Sequence, residues 1–195
     1  MYARDAKKHE EVWLLDRLDE FGFEDPAFRS RDYVLAIDEE TRERAGFARL
    51  RVHAGGEDGE SVCEFTNIGV LEDWRGHGVG AHLLEYLVED ARDQGFEAAY
   101  ALTDEPDYLA QFGFERVPPG ELPSPLPERL DATREYQPDA EPVRLEFADF
   151  EIPQHLRERF AAETEDEDGE EPPESAEDFG IDPDSATYKY DTGGS

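Results

Sequence analysis

Val79, Leu83, Leu84, Leu87, Val88 and Ala91 recur at three- and four-residue intervals and predict an amphipathic helix, which Gly95 ends. A second helix is predicted over residues 4–21, on Val12, Leu14, Leu15, Leu18 and Phe21, with Gly22 as its stop. Short apolar or alternating runs predict strands at 33–37, 45–53, 61–70, 98–103, 113–117 and 142–150. The polar segment 38–44 makes the first two a hairpin, and Gly55-Gly56 bounds the second. Pro106 opens a short helix through Gln111, and Leu156–Ala162 reads as another. Residues 118–127 hold five prolines and are predicted to be loop.

Composition changes the picture at two places. The chain has 51 acidic residues against 19 Lys and Arg, a formal charge of -32, and three of the 19 are lysine. Arginine-based basicity on such an acidic background resembles proteins of salt-loving organisms, whose unscreened charges repel in dilute buffer. This balance argues against a nucleic-acid partner. Cys63 is the single cysteine, which excludes an internal disulfide and suits a reducing cytoplasm. No 18-residue apolar run or signal-type segment points to a membrane. The second place is the tail. Residues 161–195 carry thirteen acids and one lysine and are expected to be disordered, while residues 1–160 make the folded domain. One patch of the tail, "FGIDPDSATYKYD", keeps aromatic and apolar residues.

Against this acidity, the stretch from Trp74 to Leu84 has no carboxylate. It holds Gly76, Gly78 and Gly80 at the start of a helix, where acids are ordinarily favoured. A Walker A loop is excluded because Gly-Ala-His stands where Gly-Lys-Ser/Thr is needed. The glycine spacing also misses the Rossmann fingerprint. What fits is Arg-x-x-Gly-x-Gly, on Arg75, Gly78 and Gly80, between a strand and a helix. Bare backbone lets a pyrophosphate approach, and free amides of the first turn point at it. His77 and His82, five apart, do not share a helix face, and no metal site is indicated.

"NIGVLEDWRGHGVGAHLLEYLVEDARDQG" resembles the central motif of the GNAT superfamily of acetyl-CoA-dependent N-acetyltransferases, and "YLAQFGFERV" its next motif. The resemblance covers roughly Tyr2 to Val117. It implies an α/β (α+β) GNAT fold: a mixed, mostly antiparallel, splayed sheet flanked by helices. Acetyl-CoA would lie in the splay between strands 60–70 and 98–103, with its pantetheine against backbone near Ile68 and Val70. Arg75, Gly76, His77, Gly78, Val79 and Gly80 would hold the pyrophosphate. The family also implies Glu64, eleven residues before Arg75, as a general base whose pKa burial would raise. Its usual general-acid tyrosine falls at Leu109. Tyr108 stands one residue early, about 100° round the helix.

"ALTDEPDYLAQFGFERVPPGELP" and "VRLEFADF" are similar to the acetyltransferase domain of N-acetylglutamate synthase, which implies a small amino-acid acceptor. Its carboxylate would need a cation, with Arg49, Arg51, Arg116 and Arg134 as candidates. The expected function is N-acetyl transfer to a primary amine by direct attack. The alternatives are a non-catalytic acetyl-CoA-binding regulator and a protein lysine or N-terminal acetyltransferase. A homodimer is compatible with the sequence.

Overall fold

The computed structural model describes residues 1–55 and 59–158. In chain order the elements are β1 (Tyr2–Asp5), α1 (Glu11–Phe21), β2 (Tyr33–Ile37), β3 (Arg44–His53), β4 (Val62–Val70), α2 (Val79–Asp93), β5 (Ala98–Thr103), α3 (Pro106–Ala110), β6 (Glu115–Arg116), α4 (Leu126–Tyr136) and β7 (Glu141–Glu146). Residues 154–158 form a further helical turn. The strands make one sheet in the order β1-β2-β3-β4-β5-β7-β6. Every neighbouring pair is antiparallel except β4 and β5, which run parallel and register only at Glu64 and Tyr100 among the described residues.

The predicted stripe of α2 is its buried face: Val79, Leu83, Leu84, Leu87, Val88 and Ala91 are all at most 1% exposed. A Cβ on Gly46 would meet Val79 and Leu83 of α2, whereas its neighbour Phe47 packs with Leu14 and Leu18 of α1. Adjacent strand residues face opposite ways, so α1 and α2 cover opposite faces. Tyr33, in the α1 cluster, carries the Arg49 guanidinium over its ring. Arg49, Arg51 and His53 alternate to that side, and Arg129 of α4 shares Glu64 with His53. Thus α1 and α4 lie on one face. Leu126, Leu130, Leu122, Ala140 and Val62 make a second core cluster beneath α4.

Three expectations are corrected. The first helix begins at Glu11, not near residue 4, because residues 2–5 pair with β2 from Tyr2–Ile37 to Asp5–Val34. A four-residue strand with two charges shows no period of its own; the edge of β2 decides it. Within α1, Val12 (69%) and Leu15 (45%) are exposed, so Leu14 and Leu18 carry the packing. The proline-rich loop ends earlier than expected: α4 starts at Leu126 with Pro125 as N-cap, and Pro127 tolerates the first turn, where no intrahelical donor is needed. The final strand stops at Glu146, followed by a 3-10 turn over Phe147–Asp149. The expected tail over 161–195 and most of the helix over 156–162 lie outside the described residues. Met1–Arg159 form one compact unit. Among the described residues no helix is long and apolar enough to cross a membrane.

Candidate functional site

Beyond Glu64 and Tyr100, β4 and β5 part. A bulge helps to open them. Phe47 registers with Gly69 and Arg49 with Thr66, so Asn67 and Ile68 stand opposite Ala48 alone. An extra residue bends its strand and re-aims side chains. Asn67 adopts φ 51, a conformation asparagine tolerates. Its amide donates to the Tyr33 hydroxyl (3.0 Å), which donates to Asp25 (2.6 Å). Burial, and after it Asp25, push the Tyr33 pKa up, so the phenol stays protonated.

The resulting cleft, about 610 Å³, runs from Phe65–Ile68 and Ala101–Thr103 to the start of α2. Of the predicted coenzyme residues, Ile68, Val70, Arg75, Gly76, Gly78, Val79 and Gly80 line it. His77 does not; it is exposed and its Nδ1 lies 3.1 Å from the Arg75 carbonyl. Gly78 is the N-cap at φ 76, and the first turn has neither a side-chain cap nor an acid. The first helical bonds run from Ala81 and His82 to Gly78, which leaves the amides of Val79 and Gly80 facing outward, as first-turn amides do. Trp74 lines the cleft and meets the His77 ring edge-on at 5.7 Å. The cleft size, the open amides and the exposed Arg75 suit a long anionic coenzyme.

The third glycine has a second reason to be glycine. A Cβ at Gly80 would collide with the Tyr108 hydroxyl. Tyr108 lines the cleft, while Leu109 is buried in the core. By helix angle alone Tyr108 is expected to point away from the site. The structure instead brings its phenol onto the loop. Burial, then Glu105, raises its pKa, so it holds its proton. Gly80→Ala should therefore displace Tyr108 and weaken coenzyme binding. That loss should vanish in a Tyr108→Ala background, since coupled neighbours are non-additive. Calorimetric titration of the four proteins measures the coupling.

Glu64 is fully buried at the register pair where β4 and β5 part, next to the cleft but not among the residues that line it. His53 Nε2 is 2.6 Å from one oxygen, and Arg129 reaches both oxygens at 3.1 and 2.9 Å. Burial alone would raise its pKa. The bonds from His53 and Arg129 outweigh burial and hold it below the usual carboxylate range. This reverses the expected direction of the shift. His53 and Arg129 were not foreseen. Arg129 stands on a helix that the prolines hid, 65 residues from its partner. Cys63 is buried, its thiol pushed up to about 12 chiefly by burial, as befits an inert core residue.

The four candidate arginines separate cleanly. Arg49 is bound to Asp25 and Asp32, Arg116 is exposed on Glu141 and Asp107, and Arg134 donates to the Ala140 carbonyl. Arg51 makes no hydrogen bond or ion pair with any described residue.

The acetyltransferase (GNAT) family matches residues 1–115. Mycothiol acetyltransferase of Thermobifida fusca is 34% identical over 85 residues, 42% of this chain and 26% of that protein. The D-amino-acid N-acetyltransferase HPA3 of Saccharomyces cerevisiae is 34% identical over 84 residues, 43% of this chain and 52% of its own length. The chain thus spans about a quarter and about half of these curated relatives. Among solved structures, N-acetylglutamate synthase of Neisseria gonorrhoeae, complexed with coenzyme A and N-acetyl-glutamate, superposes with a TM-score of 0.59 at 19% identity. The match covers 74% of this chain and 34% of that one, and at this identity it speaks for the fold.

Proposed function

Because the chain belongs to the acetyltransferase (GNAT) family, we propose that it moves an acetyl group from acetyl-CoA to the amine of a small, amino-acid-like acceptor. The observation that carries this reading is the continuity of two features: the parting of β4 and β5, and the acid-free, open-amide start of α2. Arg75, Gly76, Gly78 and the amides of Val79 and Gly80 would hold the pyrophosphate; Ile68 and Val70 would offer backbone to the pantetheine. Acetyl-CoA supplies a thioester, and direct attack by the amine forms a C–N bond as the C–S bond breaks. The acceptor arrives as an ammonium and must first lose a proton. Glu64 is the proposed proton sink. As an enclosed, paired anion it accepts through water or through His53 rather than by direct contact, and it passes the proton on rather than storing it. Tyr108, protonated beside Gly80, is the proposed donor to the departing sulfur.

A regulator that binds the coenzyme without turnover is the second reading. Leu109 in place of a tyrosine and the aromatic patch of the tail favour it; Tyr108 in the cleft weakens the first, and the tail lies outside the described residues. Release of free CoA decides between them. Acetyl-CoA is offered with amino acids, polyamines and lysine peptides, in molar KCl, and thiol is measured. Thiol release with amino acids is expected. Calorimetric binding of acetyl-CoA without release to any acceptor would establish the regulator; release with lysine peptides alone would move the acceptor to protein.

A further inference from the structure

A second cleft, about 830 Å³, lies where β3 outruns β2. Arg49, Arg51 and His53 line it from β3, Arg29, Arg31 and Asp32 from the segment before β2, Asp5 and Asp90 from β1 and α2, and Pro125 from the start of α4. Its lining has four arginines against three aspartates, an excess of cations in a chain of charge -32. Each basic side chain around it has an account among the described residues except one. Arg49 is neutralised by Asp25 and Asp32, and Arg129 by Glu64. Arg29 pairs with Asp32. His53 binds Glu64. Arg31 is exposed to solvent, where an unpaired charge costs little. Arg51 is half-buried and has no partner among the described residues. Burial, then the charges of Arg129 and Arg49, lower its pKa. Folding therefore places a guanidinium beside two others and, among the described residues, gives it no hydrogen-bond acceptor, an arrangement that favours the entry of an anion.

The position of Arg51 says what that anion is joined to. Arg51 registers with Glu64, and Arg49 with Thr66. Thr66 lines the coenzyme cleft. Arg51 and Thr66 are thus diagonal neighbours on one face, roughly 7–8 Å apart at the backbone. An arginine side chain spans such a gap, so its head and an amine at Thr66 can be joined by one small molecule. Resting on the acetyltransferase reading, we infer that Arg51 is the specificity-determining residue for the acceptor, binding its carboxylate while the amine meets the acetyl group at the end of the coenzyme cleft. The acceptor class is then an amine that carries a carboxylate within a few bonds, rather than a polyamine or a peptide lysine.

The test compares each of glutamate, alanine and phenylalanine with its α-amide, in wild type, Arg51→Gln and Arg51→Lys. Wild type should favour the acids. Arg51→Gln should lower kcat/KM for the acids roughly 10- to 100-fold, the worth of a charge-assisted contact, and leave the amides unchanged. Arg51→Lys should recover part of the preference, as a cation without the planar fork. Because Arg51 has no bond to a described residue to lose and two like charges to escape, Arg51→Gln should melt no lower than wild type and bind acetyl-CoA equally. An acid-to-amide ratio that Arg51→Gln does not change overturns the inference while leaving the acetyltransferase reading standing. A melting temperature that falls together with all activities assigns Arg51 a structural role, and also overturns it. Absence of turnover with every amine removes the reading itself, and the inference with it.

Discussion

Gly78→Glu should abolish acetyl-CoA binding, raising the dissociation constant at least on the order of 10²-fold. Two effects add. The residue sits at φ 76, where an ordinary side chain is strained. The larger effect is charge: a carboxylate at the N-cap would stand where pyrophosphate is to be held, and juxtaposed like charges cost several kcal/mol. It would also occupy the first-turn amides itself, as acidic N-caps do, so the helix would gain what the ligand loses. Gly78→Asn separates the two effects, since asparagine accepts the left-handed conformation and is neutral. It should bind acetyl-CoA within several-fold of wild type. Titration calorimetry reads both. Near-normal affinity in Gly78→Glu would remove the loop from the coenzyme site.

Glu64→Gln should lower kcat on the order of 10²-fold, a typical worth for general-base catalysis, with little change in the KM for acetyl-CoA. The pH dependence carries the diagnosis. The folded pKa of Glu64 is depressed, so it is already ionised throughout the neutral and alkaline range. An ascending limb above pH 6 therefore reports the acceptor ammonium and not Glu64. In the variant the limb should persist, lower in height and unmoved in position. Stability falls with pH in the same direction as activity, but in a lower window. A depressed carboxylate contributes stability above its unfolded pKa and loses it as pH falls through the folded value. Wild type should lose this contribution on acidification below the ordinary glutamate range, and Glu64→Gln should show a smaller acid-side loss from a lower starting point. Glu64→Ala should be worse for folding, by about 3–5 kcal/mol, because it leaves Arg129 and His53 at a buried site with no anion. Full activity of Glu64→Gln across neutral pH would make Glu64 an anchor for Arg129 and His53 and nothing more.

The helix stripe of α2 and the glycine loop were legible because both are local. Six apolar residues at helical spacing can only be buried together, and an acid-free turn stands out in so acidic a chain. The elements that were missed depend on distant partners. Residues 2–5 are a strand because β2 offers an edge. The helix α4 buries Leu126, Leu130 and Thr133, too sparse a stripe to overrule five prolines. That omission propagated to the chemistry. With α4 unassigned, nothing supplied Arg129, and an unpaired buried glutamate would have a raised pKa. With Arg129 present the sign reverses. For Arg51 the sequence offered four equal candidates; only the pairing of the other three distinguished it.

The sheet is two ladders joined along a seam that one register pair closes, with β1–β4 on one side and β5, β7 and β6 on the other. Such a seam is where a fold yields first, since sub-global opening follows the thinnest line of cooperative contacts. A ligand that lies along the seam is then a structural member as much as a reactant. At a concentration a hundred times its dissociation constant it adds about 2.7 kcal/mol to the folded state. Proteolysis of the opened form tracks its population. The lifetime of this chain in the cell would accordingly follow its ligand supply: when the pool that feeds the reaction runs low, the protein becomes easier to degrade, and its abundance falls without any change in its synthesis.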